Sequence, residues 1–318
     1  MSTTDVDHPE LAPPTVEDLG GGLYAYVQPD GTWMINNTGI LVGRDGVICL
    51  DSCSTQRRTE ALLAAVAGLT DRPVRTLVNT HSHVDHVAGN GYFPTATIVA
   101  HEGTRATMLT EPMRPAAYEL WEPFDRGSVP VVPPFLTFSD ELTLWVDDLR
   151  CELRYVGRPA HTTNDSYLWV PSRGVLYAGD LVFHGGTPFC LAGSVTGLIE
   201  VLTAQIMPLQ PTVIVPGHGP LADLAVVGDV VAYLRFVVEV ARAGIAAGLS
   251  PLDAARETDL GAFAAWSDPE RIVGNLHRAY ADLDADASGG ELGAPLNYPA
   301  ILADMVAYNG GNPLTCLA

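Results

Sequence analysis

The 318-residue chain carries a formal net charge of −20 and 47% hydrophobic residues, so it can bury a large core but repels phosphate backbones, which argues against a nucleic-acid partner. All 17 basic residues are arginine, which excludes imine chemistry through a lysine amine. The five cysteines (Cys49, Cys53, Cys151, Cys190 and Cys316) are odd in number and lack CxxC spacing, so they read as reduced thiols of a cytoplasmic protein.

Residues 1–14 are acidic and proline-containing, without the basic start and apolar run of a secretory signal, and residues 1–22 are expected to form a flexible arm. Residues 23–52 alternate β-rich runs with the turns Pro29-Asp30-Gly31 and Arg44-Asp45-Gly46, an antiparallel meander. A helix over residues 55–69, a buried strand over 74–80 and a strand over 97–101 follow. After a proline- and aromatic-rich stretch (111–138), paired strands are predicted over 142–156 and 166–183, the latter broken by a turn at 171–174. Helical signals return at 195–207, a short strand ends at Gly217, and the remainder reads as helical apart from 284–299. The apolar run 221–249 contains Asp223, Asp229, Arg235, Glu239 and Arg242, so it reads as an amphipathic helix and not as a membrane span. Mixed strands and helices imply sheets covered by helices, an α/β (α+β) class, with a catalytic domain over 23–220 and a C-terminal helical extension over 221–318.

The chemistry is concentrated in "THSHVDHVAGN", where His81, His83, Asp85 and His86 stand directly after a predicted strand. In extended backbone, residues two apart point the same way, so His81 and His83 can grip one ion from one side. His161, Asp180 and His218 each follow a further predicted strand, and strand ends on one sheet edge form a shared cleft.

This pattern, HxHxDH followed by a distant His, Asp and His, resembles the metallo-β-lactamase-fold metallohydrolases over roughly residues 23–220. The resemblance implies an αββα sandwich with the site at one edge. It also implies two Zn²⁺ ions, with His81, His83 and His161 on the first, Asp85, His86 and His218 on the second, and Asp180 bridging them. Imidazole and carboxylate donors suit zinc, while iron or manganese stays open. Asp85 and Asp180 are the residues expected to orient the nucleophile. Asp51 resembles the family aspartate that orients the metal loop, and a plain strand-end or N-cap carboxylate is an equal alternative.

A bridging aspartate is similar to the glyoxalase II and thioesterase branch and argues against antibiotic hydrolysis. The expected reaction is hydrolysis of an acyl thioester or ester by a metal-bridging hydroxide. The closing "LNYPAILADMVAYNGG" is similar to metallo-β-lactamase-like aromatic polyketide cyclases of antibiotic biosynthesis, which adds metal-enolate aldol ring closure as an extension. The general glyoxalase II-like hydrolase of small thioesters is the alternative, and a phosphodiesterase or nuclease of the same fold is disfavoured by charge.

The substrate would be a small-molecule thioester or ester, free or carried on a carrier protein. In the 111–138 stretch, Met113, Tyr118, Trp121, Phe124, Phe135 and Phe138 suggest a lid, with Trp121 and Phe124 as pocket candidates. The glycine-rich loop 183–197 suggests a second rim, and His184 is a further pocket candidate. His8, His101 and His277 receive no role. Whether the C-terminal helices flank the cleft or form a homo-oligomer interface is open.

Overall fold

A computed structural model describes residues 11–28, 31–110 and 120–318. Strands β1 (Thr15–Gly20), β2 (Leu23–Val27), β3 (Thr38–Val42) and β4 (Val47–Leu50) form an antiparallel meander, to which β5 (Val74–Val78), β6 (Thr97–His101) and β7 (Leu136–Phe138) add in parallel. The second sheet has the order β12 (Val213–His218), β11 (Val175–Phe183), β10 (Ser166–Val170), β9 (Leu149–Tyr155), β8 (Glu141–Val146), with β11 and β12 parallel.

The period-two alternation of the strands sorts their side chains into three layers. Leu41, Leu50, Val78 and Val99 face inward and meet Leu153, Leu168, Val175 and Tyr177 of the second sheet. Their neighbours Ile40, Cys49, Leu77 and Ile98 point outward onto Leu62 and Val66 of α1 (Gln56–Leu69). On the far side, Leu176 and Ala178 of β11 pack under α4 (Val195–Val201), α5 (Leu224–Ala247) and α7 (Arg271–Ser288). The result is helices, sheet, sheet, helices, as the resemblance implied.

The helix ends follow from local chemistry. The Thr55 hydroxyl accepts from the Arg58 N–H to start α1, and the Asp223 carboxylate accepts from the N–H groups of Ala225 and Val226 to start α5. α5 stops at Gly248, whose φ of 72° is left-handed. It shares one buried cluster with α4, α6 (Pro251–Glu257), α7 and α8 (Tyr298–Tyr308), so residues 221–318 pack directly on the second sheet. Among the described residues, no helix is long and apolar enough to cross a membrane. All five cysteines are buried free thiols.

Two expectations change. Thr15–Gly20, assigned to a flexible arm, is an edge strand, because "TVEDLG" pairs antiparallel with β2 from Thr15↔Val27 to Gly20↔Leu23. Residues 284–288, read as non-helical, complete α7, because no helix breaker stands before Gly289. The helix at 195–207 continues from α4 through a wider π-type turn at Leu202–Ile206. The turn at Pro29-Asp30 lies outside the described residues.

Candidate metal centre

The C-terminal ends of β4, β5, β11 and β12 meet at one edge of the sandwich, and each delivers part of a single cluster. After β5 the chain presents His81, and His83 then begins the short helix α2 (Val84–Val87), whose turn aims Asp85 and His86 inward. β11 contributes Asp180, β12 ends on His218, and His161 comes from the β9–β10 loop. The glycines of "PGHG" are needed because a Cβ on Gly217 would collide with Asp180 Oδ1, and one on Gly219 (φ 87°) with the His184 carbonyl.

The seven side chains form two groups that share Asp180. Donor atoms of His81, His83, His161 and Asp180 all lie within 4.8 Å of one another, as do those of Asp85, His86, Asp180 and His218. Asp180 Oδ2 is 3.2 Å from His161 Nε2 and 3.4 Å from His218 Nε2, while Oδ1 is 3.0 Å from His86 Nε2. His218 Nε2 is also 3.2 Å from Asp85 Oδ2. Every side chain that the sequence proposed as a ligand is therefore brought together.

Hydrogen bonding alone does not satisfy this cluster. His81 Nε2, His86 Nε2 and Asp180 Oδ1 are buried without a hydrogen-bond partner; the His86–Asp180 approach is close but not aligned as a hydrogen bond. Buried polar atoms left unpaired are costly and call for an explanation. Imidazole nitrogens and carboxylates converging on two points, with one carboxylate common to both, fit a pair of divalent cations.

Charge is arranged to match. Burial pushes His161 down to about 3, favouring the neutral ring that a metal needs. Burial also lowers His81 and His83. Burial opposes ionisation of Asp85, but His86 and His218 beside it override this and hold it down to about 2. Burial likewise opposes a charge on His218, yet Asp180 and Asp85 push it up to about 9.

A supporting layer fixes the rings. Asp51, at the end of β4 with a left-handed φ of 62°, holds His86 and Thr80, and the Thr80 hydroxyl lies 3.0 Å from His81 Nδ1. His161 Nδ1 contacts the Phe189 carbonyl. The ring of Phe183 stacks parallel on His218, centroids 5.0 Å apart.

A cavity of about 220 Å³ opens on the cluster. His83, Asp85, His161, Asp180 and His218 form its polar end, and Trp33, Trp121, Phe183, Phe189 and Leu191 its apolar walls. Tyr298 and Leu302 of α8 and Arg271 of α7 complete the lining, so the C-terminal helices do flank the cleft.

Trp121 and the 183–197 rim thus reach the cavity, but other expected pocket residues do not. Phe124 lines a separate cavity beside Arg58 and Leu317, because the chain turns away from the cluster after Trp121. His184 is turned toward the carbonyls of Pro220 and Leu221, its Nδ1 3.1 and 3.0 Å from them. Phe138 is core between the sheets and Phe135 is 86% exposed, while Met113 and Tyr118 lie outside the described residues. Trp33, Met34 and Arg271 were missed, since no spacing or motif distinguishes them from ordinary packing residues, and Tyr298 and Leu302, though inside the closing segment singled out above, were not assigned to the pocket.

A family model described as the metallo-beta-lactamase superfamily matches residues 31–218, which include all seven donors. The chain belongs to that superfamily. It is 29% identical over 180 residues to the 2,4-dinitroanisole O-demethylase subunit alpha of Nocardioides sp. (strain JS1661), covering 55% of this chain and 50% of that protein. It is 24% identical over 169 residues to a metallo-beta-lactamase type 2 of Bacteroides fragilis, covering 52% and 61%. The matches thus span about half to three-fifths of these curated relatives. A metallo-beta-lactamase from Pontibacter korlensis superposes with a TM-score of 0.59 at 18% identity, over 70% of this chain and 99% of that one. The DIM-1 metallo-beta-lactamase gives 0.57 at 18%, over 71% and 99%. These likenesses establish the shared fold. The two donor groups within that fold form a site whose chemistry fits two metal ions.

Proposed function

We propose that the chain hydrolyses a compact acyl thioester or ester whose apolar, preferably aromatic, part fills the 220 Å³ cavity. The observation that carries this is the direct abutment of an aromatic-walled cavity on the seven donors. Two divalent ions, zinc by donor chemistry with iron or manganese as alternates, would supply Lewis acidity to the carbonyl and acidify water at neutral pH.

The chain's own residues do the rest. His81, His83, Asp85, His86, His161, Asp180 and His218 would be the ligands, with Asp180 shared between the two groups. Asp85, which His86 and His218 hold ionised, would accept a hydrogen bond from the attacking water and so orient it. Asp180 draws the two halves of the site together. Trp33, Trp121 and Phe189, whose rings meet edge to face, exclude bulk water and seat the acyl group beside the reacting carbon.

Cavity size favours simple hydrolysis of a small thioester, as in a glyoxalase II-like enzyme, over aldol closure of a long polyketide chain. Pockets for drug-sized ligands run to roughly 300–1,000 Å³. A small free substrate also suits a cavity narrowed by the side chains of Tyr298 and Leu302 in its lining. The relative named as a 2,4-dinitroanisole O-demethylase subunit favours a second reading, in which water cleaves an aryl methyl ether in the same cavity.

The test is turnover of a phenylacetyl thioester, of an aryl methyl ether and of bis(4-nitrophenyl) phosphate by the purified chain. Thioester hydrolysis that a chelator abolishes and zinc restores supports the first reading. Preference for the ether supports the second. Preference for the phosphodiester overturns both and returns the fold to phosphodiester chemistry.

A further inference from the structure

The first donor group is assembled from opposite sheets: His81 and His83 follow β5, while His161 stands in the β9–β10 loop. Their rings converge, with His161 Nε2 2.7 Å from His83 Nδ1, and they do so only while the two loops keep a fixed separation. One tie lies at the base, where the Ser166 N–H donates to the Thr80 carbonyl (2.8 Å). A second lies level with the donors and runs through the side chain of Asn164, which is 1% exposed.

Asn164 belongs to the run "HTTND", which is closed on itself. The Asp165 carboxylate accepts from the Thr162 N–H (2.7 Å) and hydroxyl (2.6 Å), and the Thr162 Oγ1 accepts from the Asn164 N–H (3.1 Å). A primary amide offers both an acceptor and donors, and here both are used. Asn164 Oδ1 accepts from the Thr104 hydroxyl (3.0 Å) of α3 (Glu102–Thr110). Its Nδ2 donates to Thr107 Oγ1 (3.4 Å) on the same helix and to Ser82 Oγ (3.2 Å). Gly103 leaves room for this, since a Cβ there would come within 3.1 Å of Asn164 Cβ. Ser82 stands between His81 and His83, so one amide holds the segment that carries both rings to α3 and to the His161 loop.

We infer that Asn164 is a positioning residue for the His81, His83 and His161 group: it sets the separation across which these three imidazoles meet one cation. None of its hydrogen bonds goes to Asp85, His86, Asp180 or His218, so its effect is confined to one ion of the pair. A general loss of packing would loosen both groups alike. The inference rests on the metal centre that underlies the proposed hydrolysis, but affinity and not turnover reads it.

The experiment is zinc competition against a chromophoric chelator on the full chain. It compares the native protein with Asn164→Ala, Ser82→Ala and the two combined, and places Asn164→Ala on His161→Ala and on His218→Ala. Asn164→Ala is expected to weaken one of the two ions about 10- to 100-fold, as loss of an orienting partner does, and to leave the other within about threefold. Ser82→Ala should reproduce part of that loss, and the combined variant should match Asn164→Ala to within about threefold, because both changes remove the same link. On His161→Ala, where the ring it places is gone, Asn164→Ala should cost less than about threefold, whereas on His218→Ala it should cost the full factor. Ser82→Ala on the same two backgrounds carries the comparison if Asn164→Ala does not fold by circular dichroism. Equal weakening of both ions, a loss undiminished on His161→Ala, or unchanged affinity in Asn164→Ala overturns the inference while leaving the metal centre in place. A native chain that binds no zinc overturns it together with the metal centre.

Discussion

Asp51 Oδ2 lies 2.9 Å from His86 Nδ1, and the same carboxylate accepts hydrogen bonds from the Thr80 N–H (2.8 Å) and hydroxyl (2.8 Å). One acidic side chain at the end of β4 therefore sets the direction of a donor in the Asp85 group and, through Thr80, supports His81 in the other. A non-glycine residue held at a φ of 62° costs backbone strain that the surrounding contacts must offset. Asp51→Ala should weaken metal affinity roughly 10- to 100-fold, as loss of such an orienting partner does elsewhere. Competition with a chelating dye measures this, and unchanged affinity would show that His86 is aligned by other means.

Asn37 links the two sheets beside His218. Its side chain accepts from the Gln28 N–H (3.1 Å) and donates to the carbonyls of Pro216 (3.0 Å) and Gly219 (2.6 Å). Asn37→Ala leaves those buried carbonyls without their donor, at a cost of about 1–3 kcal/mol. The expected outcome is a lower melting temperature together with weakened occupancy of the Asp85, His86, Asp180 and His218 group. Loss of stability with full metal content would confine Asn37 to a structural role.

The metal-free protein should become less stable as pH rises from about 6.5 toward 9. His218 is raised to about 9 in the folded chain from an unfolded value near 6.5, so its contribution is complete below about pH 6.5 and is lost as pH passes through its folded value. His86 is raised in the same direction, with Asp180, Asp51 and Asp85 outweighing its burial. Cation binding must displace those protons, so metal uptake should release protons and tighten over the same range. Calorimetric melting of chelator-treated protein checks the sign, and stability rising across this window would contradict it.

Leu302 of α8 is a wall of the cavity and not of the metal cluster. Leu302→Ala should raise kcat/KM for thioesters with acyl chains two or three carbons longer by about tenfold, since each methylene accommodated is worth roughly 1–3 kcal/mol. Steady-state kinetics on an acyl series gives the answer. No shift in chain-length preference would place the acyl group elsewhere.

Much of the fold was legible because β-branched alternation and turn residues are local signals. "HSHVDH" was legible for the same reason: four donors stand within six residues after a strand. His161, Asp180 and His218 are scattered; their places after predicted strands pointed to a shared cleft, the resemblance gave them ligand positions, and the fold brings their side chains together around Asp180. Phe124 and His184 were misplaced because aromatic content and sequence proximity to Asp180 do not fix where a side chain points. Arg271 left no trace and Tyr298 and Leu302 stood only inside the closing segment singled out by resemblance, since only the packing of α7 and α8 against a site formed by residues 81–218 turns them into cavity walls. The edge strand at Thr15–Gly20 was hidden by its acidic, exposed composition, which a strand paired on one side tolerates.

The most direct test is metal content by mass spectrometry of the native chain and of Asp180→Ala, both purified from zinc-supplemented medium, with thioester turnover measured on the same samples. The account predicts about two ions per native chain, as in known two-metal hydrolase sites, and at most one in the variant with turnover abolished. A native chain holding less than one ion, or a variant that keeps both ions and its activity, would contradict it.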